Sequence, residues 1–257
     1  MVRARVAASF ALACISAFTL RTACADPRTA SDAPRATPRA VIELFTSQGC
    51  SSCPPADKLI AEYARDPSVI ALSLAVDYWD YLGWKDTLAL SGHSNRQRAY
   101  AKARGDRQVY TPQAVIDGAV HALGSDKAAI ERAIRQTRDQ SSPLLLPVKI
   151  EQAGDHLTVM VAASKDEKGQ AEVWLCPIIK SIPVVIGRGE NSGHTITYTN
   201  VVRRWIKLGD WTGKAETYDV PMKDVQSGGI DSAAVVVQSG VASAPKLMLG
   251  AAQIALQ

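Results

Sequence analysis

Cys50 and Cys53 stand two residues apart in Phe45-Thr46-Ser47-Gln48-Gly49-Cys50-Ser51-Ser52-Cys53-Pro54-Pro55, between a strand-like run and a helical one. Such a dithiol closes to a disulfide. The first turn of a helix, whose N–H groups lack partners within the helix, favours a thiolate placed there. In this arrangement the first cysteine is expected to be exposed and the second shielded by the helix. Cys50 is then the attacking thiolate, and Cys53 resolves a mixed disulfide by attacking the Cys50 sulfur. Three chemistries stand open for the pair: thiol–disulfide exchange, a static disulfide closing a small loop, and ligation of Cu(I) or Zn(II) by two thiolates. The last needs a further ligand. No Met or His lies near the pair in sequence, His93 is the one candidate from the same domain, and the four histidines share no metal-ligand spacing, so no metal residue is assigned. No Ser–His–Asp set, phosphate-binding glycine loop or paired-carboxylate signature stands out.

The compartment bears on which chemistry applies. Arg3 and Arg5 precede an apolar run from Val6 to Leu20, and Ala23-Cys24-Ala25 supplies small residues for cleavage before Asp26, so residues 1–25 read as a signal peptide. Arg21 just before Cys24, and the position of Cys14 inside the apolar run, argue against a lipidated cysteine. The expected location is periplasmic or secreted, where disulfides persist. Cleavage removes Cys14 and Cys24 and leaves Cys50, Cys53 and Cys176, that is, one pair and one thiol. Cys176 lies in the strand-like Val173-Trp174-Leu175-Cys176-Pro177 and reads as an inert core thiol. The leader holds three arginines and no acid, so the formal charge of +4 falls to about +1, without the basic footprint of a nucleic-acid or anionic-membrane partner. No later stretch is apolar over the roughly 20 residues of a membrane span.

Residues 26–39 carry three prolines and no large apolar side chain and read as a flexible linker. Val41 to Phe45 predicts a buried strand, Pro54 onward a helix with Ala56, Leu59, Ile60 and Tyr63 on one face, and Val69 to Val76 a second strand. An aromatic loop, Asp77 to Leu90, leads into a helix capped by Ser91 and stopped by Gly105, with Arg96, Arg98, Lys102 and Arg104 mostly exposed. Gln113 to Leu123 forms a hairpin on Asp117-Gly118, and Ser125 caps a closing helix. The order is βαβ–αββα over residues 40–140. From 141 to 257 short β-type segments separated by Gly, Asp and Pro predict an all-β, sandwich-like domain. In that first half the loop before the third strand faces the N-terminus of the first helix. A cis proline at Pro112 would set its backbone beside the cysteines to bind an extended peptide.

The strand, Cys50-Ser51-Ser52-Cys53, the helices, Thr111-Pro112 and the Asp117-Gly118 hairpin occur in the order of the thioredoxin superfamily, which this half resembles. The resemblance implies a thioredoxin-like α/β domain, Thr111-Pro112 as its cis-proline site and Cys50 as nucleophile. Leu44 to Asp57, Val76 to Asp86, Tyr110 to Gln113, Gly187-Arg188-Gly189-Glu190-Asn191 and Asn200-Val201-Val202-Arg203 look like an exported bacterial family with that fold and no assigned function. One departure from ordinary thioredoxins is Pro54-Pro55, which lack N–H donors. The regular helix is therefore expected to start at Pro54, with Cys50 on a turn ahead of it and its thiol less acidified. Ser51 and Ser52 hydroxyls are candidates to donate to the thiolate in compensation.

Trp79, Tyr81, Trp84 and Gln113 are the substrate-binding candidates, with Tyr78 beside them and Asp77 or Asp80 as candidate proton relays to Cys53; packing against the second domain is the alternative role for the aromatic loop. Glu190, Asn191, His194, Asn200, Arg203 and Arg204 read as solvated residues of a hairpin, with an interdomain contact or a substrate patch as the alternative. The expected function is an exported thiol–disulfide oxidoreductase with Cys50, Cys53, Thr111 and Pro112 at its centre. It would act on exported protein thiols or disulfides, or with a redox partner protein, and need no bound cofactor because the dithiol is the redox group. The alternatives are an envelope binding or assembly protein with a structural Cys50–Cys53 bond, and a copper-handling protein.

Overall fold

The computed structural model describes residues 37–165 and 170–257; the expected signal peptide, most of the expected linker, and Cys14 and Cys24 lie outside the described residues. Arg39, counted with the linker by its composition, is tied to the fold. Its N–H donates to Ser68 O at 2.7 Å, and its guanidinium pairs with Asp66 and Glu131.

The first half runs β1 (Ala40–Thr46), α1 (Pro54–Tyr63), β2 (Val69–Ala75), a 3-10 turn (Asp80–Leu82), α2 (Ser91–Arg104), β3 (Gln113–Ile116), β4 (Val120–Leu123) and α3 (Lys127–Ser141). β1 and β2 are buried along their whole length, as continuous apolar runs in a parallel pair must be. β3 lies antiparallel on the other side of β1, and β4 follows it through a turn in which Asp117 and Gly118 both have positive φ, 51° and 72°. A two-residue hairpin turn of that hand matches the twist of its strands. α1 starts at its proline pair, and Ala56, Leu59, Ile60 and Tyr63 pack on Ile42, Leu44 and Ala71 together with Ile130 and Ile134 of α3. Two caps differ from expectation. α2 begins at Ser91 itself behind Leu90, and Asp126, not Ser125, caps α3 by accepting from Ala129 N at 2.9 Å.

The second half runs β5 (Val148–Ala153), β6 (His156–Val161), β7 (Ala171–Val185), β8 (Thr195–Val202), β9 (Ile206–Trp211), β10 (Glu216–Pro221), a short α4 (Met222–Val225), β11 (Ser232–Val241) and β12 (Ala244–Ala255). These strands do not close on themselves. The sheet order β12-β11-β7-β8-β2-β1-β3-β4, with β9 also on β7, carries one sheet of nine strands across the boundary expected at residue 141. The seam is the parallel contact of β2 with β8, where Ser73 faces Val201. Ser73 Oγ donates to Thr199 O (2.6 Å), and Asn200 Nδ2 to Ala71 O (2.9 Å). The second half also contributes a second, smaller sheet. β5, β6 and β10 form a three-stranded sheet, and Leu157, Val159, Val173, Leu175, Trp211, Val235 and Val237 fill one apolar cluster with it.

A buried ionic cluster also crosses the boundary. Arg96, expected on the exposed side of α2, is buried, with Nε 2.7 Å from Glu43 Oε1 of β1 and Nη2 2.8 Å from Gln238 Oε1 of β11. The Tyr100 hydroxyl completes the set, and the Trp205 ring lies over the guanidinium, its centre 4.1 Å away. Glu43, a carboxylate inside the sheet, needs an opposite charge beside it as well as the Tyr100 hydroxyl, and this draws the arginine inward.

β7 is the element that matters for the site. Its pattern reads as ending near Ile178, yet the strand continues to Val185. Pro177 falls where the neighbour on one edge changes from β9, paired through Leu175, to β8, paired from Ile178, so no ladder bond is lost. Beyond Ile178 the opposite edge has no pairing with β11, which leaves room for Pro183. The extension delivers the β7–β8 connection to the cysteines.

Candidate functional site

β1 ends at Thr46, and the chain turns through Ser47-Gln48-Gly49 to Cys50. Cys50 N donates to Ser47 O, and Cys53 N to Cys50 O, each at 3.2 Å. Cys50 and Cys53 form a disulfide with Cα atoms 5.4 Å apart, and Cys53 is the N-cap of α1. Pro54 and Pro55 offer no N–H, and the amides of Ala56 and Asp57 turn back to Cys53 O at 2.8 and 3.1 Å. Helix donors near the sulfurs are therefore sparse, as the proline pair requires. Ser52 Oγ lies 3.4 Å from Cys50 Sγ, within reach to donate to a thiolate formed there.

The expected exposure of Cys50 is not found. Cys50 is 2 % exposed and Cys53 fully buried, while Ser51 and Ser52 between them face solvent. The β7–β8 connection lies against the disulfide loop. Asn191 Nδ2 donates to Gln48 O and Cys50 O, both at 2.9 Å, and Glu190 Oε2 accepts from Ser51 N at 3.1 Å. Asn191 is buried, and so is Asn200, which corrects the solvated reading of this hairpin. The physical reason is the length of β7, which brings the turn back over the first half. Gly187 rides on the Trp84 indole: a Cβ there would lie 3.0 Å from the ring.

Thr111-Pro112 forms a cis peptide beside the pair, with Thr111 O 3.5 Å from Ser52 Oγ. Trp79 Nε1 donates to Thr111 Oγ1 at 2.7 Å, and Tyr81, 76 % exposed, stacks on Trp79 with ring centres 6.3 Å apart. Trp84 Nε1 donates to Gln48 Oε1 at 2.8 Å. The aromatic loop thus borders the disulfide. Gln113 does not join it. Its side chain is buried in an amide cluster with Gln97 (2.9 Å) and His121 (3.2 Å).

Of the two relay candidates, Asp77 accepts from Ser94 on α2, and Asp80 from the Asp86 N–H at 3.1 Å. A buried carboxylate not singled out from the sequence is Asp57, one helical turn beyond Cys53 and on the same face of α1. It is buried, takes one hydrogen bond from Thr46 Oγ1 (2.8 Å), and leaves Oδ2 without a partner among the described residues. Burial, opposed by the Thr46 bond and reinforced by the charge of Asp86, pushes its pKa up to about 7. Its i,i+4 spacing from Cys53 was the available signal; an acid in a first helical turn reads first as a dipole partner.

His93 is buried, its Nδ1 2.9 Å from Ala75 O, and burial lowers its pKa to about 4. Among the described residues no cluster of three or more His, Cys, Asp or Glu side chains is arranged to hold a metal ion. Cys176 is buried and unpaired, its thiol pushed up by burial. Among the described residues no helix is long and apolar enough to cross a membrane.

The chain belongs to the family described as protein of unknown function DUF1223, whose model matches residues 41–238. It is similar to a protein of Agrobacterium tumefaciens solved by crystallography, at 32% identity over 86% of this chain and 96% of that one, with a TM-score of 0.77. It also shares a fold with HBP35 of Porphyromonas gingivalis, at 13% identity over 86% of this chain and 76% of that one, with a TM-score of 0.55. No curated protein matches it.

Proposed function

We propose that this member of the family is an exported thiol–disulfide oxidoreductase whose first half is a thioredoxin-like unit, acting on the cysteines of exported proteins. The observation that carries the reading is the Cys50–Cys53 disulfide at the start of α1, bordered by the cis Thr111-Pro112 peptide. A substrate thiolate attacks the Cys50 sulfur; the Cys50–Cys53 bond breaks, a mixed disulfide forms, and Cys53 leaves as a thiolate that takes the proton of the Asp57 carboxyl. A second substrate thiolate then attacks the substrate sulfur of the mixed disulfide and displaces Cys50. Two electrons pass from the substrate dithiol to the pair. From the reduced pair the same steps run backwards, with Asp57 accepting the Cys53 proton. A carboxyl with a pKa near 7 suits both directions at neutral pH.

One observation favours a second reading, a structural disulfide in a binding protein: Cys50 is 2 % exposed beneath Asn191. The reduction potential separates the two. Equilibration against glutathione buffers is expected to give a potential above about −230 mV, with catalysis of disulfide exchange in a reduced or scrambled protein. A potential below about −300 mV with no catalysis assigns the bond to structure.

A further inference from the structure

The β7–β8 connection is braced within itself: Gly193 N donates to Ile186 O (2.8 Å), Ile186 N to His194 O (2.9 Å) and Ser192 N to Gly189 O (3.1 Å). Its tip holds two residues against the disulfide loop in different ways. Asn191 is buried and fastens the tip through two backbone carbonyls. Glu190 stays exposed, and its carboxylate accepts from the backbone N–H of Ser51, the residue that follows Cys50. The Ser51 hydrogen bonds hold that carboxyl below the usual range. Among the described residues that carboxylate has no ion pair, so its negative charge stands unneutralised at the exposed peptide between the two cysteines. Any thiol that reaches the Cys50 sulfur arrives as an anion beside it.

We propose that Glu190 selects the thiols that reach Cys50, favouring a cysteine flanked by lysine or arginine and opposing anionic thiols. The assignment rests on the exchange reading above and names the charge of its substrate. A flanking ammonium or guanidinium pairs with the Glu190 carboxylate, whereas a flanking carboxylate or sulfonate meets like charge at the same point.

The test follows reduction of the oxidised full chain by three small thiols: cationic cysteamine, neutral 2-mercaptoethanol and anionic 2-mercaptoethanesulfonate. In each case one thiolate opens the Cys50–Cys53 bond and a second releases Cys50, giving the small-molecule disulfide and the reduced pair. With rates corrected for each thiolate's concentration and basicity, the cationic thiol is expected to outrun the anionic one about tenfold at low salt, from two exposed charge contacts each worth a factor of a few. The preference should shrink in 0.5 M salt, where charges are screened beyond about 4 Å. Glu190→Gln keeps an oxygen for Ser51 N and should bring the ratio close to one. An unchanged ratio in that variant, a ratio insensitive to salt, or no reduction by any of the three thiols overturns the proposal. Turnover of a reduced protein substrate is scored separately: its absence sinks the exchange reading, while the thiol ratio alone decides on Glu190.

Discussion

The side-chain amide of Asn191 donates to the main-chain carbonyl of Cys50 at 2.9 Å, across 141 positions of sequence. The same NH₂ group serves Gln48 O at the same distance, so one residue of the second half satisfies two buried acceptors of the disulfide loop. Cys50 O accepts from Cys53 N as well, so Asn191 supplies it a second hydrogen bond, and a buried carbonyl that loses a partner costs stability.

Asn191→Ala should therefore loosen the cover over Cys50. Two net hydrogen bonds amount to about 2 kcal/mol, enough to raise the open fraction of the loop more than tenfold. Reduction by dithiothreitol, followed by trapping of free thiols, is expected to speed up by about that factor with a small fall in Tm. Equal rates in the two proteins would mean that the connection does not limit access to the sulfur.

Much of the frame could be read from residue types. The buried runs of β1 and β2, the start of α1 at Pro54 and the Asp117-Gly118 turn each follow from a local rule, and each appears where its residues dictate. What could not be read is what long-range pairing decides. Arg96 looks like a solvated helix residue until Glu43 is known to lie buried opposite it. Pro177 and Pro183 look like stops until the change of neighbour along β7 is known. Glu190 and Asn191 look like an ordinary turn because nothing within ten residues of them hints at the cysteines. The site was legible in Cys50, Cys53, Thr111 and Pro112, and illegible wherever its second wall comes from the other half.

Asp57 makes stability depend on pH. Its folded pKa of about 7 lies above the ordinary carboxyl value, so between about pH 4 and pH 7 the folded state holds a proton that the unfolded state has released. The resulting stability is fully present below about pH 4 and is lost as pH rises through 7. Asp117, raised to about 6 by burial, adds to the same slope. Urea unfolding of wild type and Asp57→Asn across this range should show a shallower decline in the variant, with the gap opening between about pH 4 and pH 7 and levelling off above it. Parallel curves would show that Asp57 is ionised throughout. On the exchange reading the variant also loses the inflection near pH 7 in its rate of disulfide resolution.

The Glu43–Arg96 pair joins β1, α2 and β11, so it should hold the two halves in one unfolding transition. Arg96→Met strands a buried carboxylate and is expected to cost about 3–5 kcal/mol, whereas Glu43→Gln with Arg96→Met recovers part of that because no charge is left unpaired. Chemical denaturation monitored by tryptophan fluorescence and by far-UV circular dichroism should give coincident curves in the wild type. Separate transitions, or a double variant as weak as the sum of the singles, would contradict a shared cluster.

Tyr81 separates recognition from packing in the aromatic loop. Trp79 is anchored to Thr111 by its indole N–H and Trp84 to Gln48, so changing either one disturbs the site's own structure. Among the described residues Tyr81 has no such hydrogen bond. It is 76 % exposed, and its ring stacks on Trp79. Tyr81→Ala should leave Tm and the thiol-reduction rate nearly unchanged, since exposed substitutions away from buried features stay within about 0.5 kcal/mol. If the Trp79–Tyr81 stack grips an extended substrate, the same variant raises KM for a protein substrate several-fold and leaves kcat alone, because the chemistry at Cys50 is untouched. A protein substrate turned over with unaltered KM would assign the loop to packing alone.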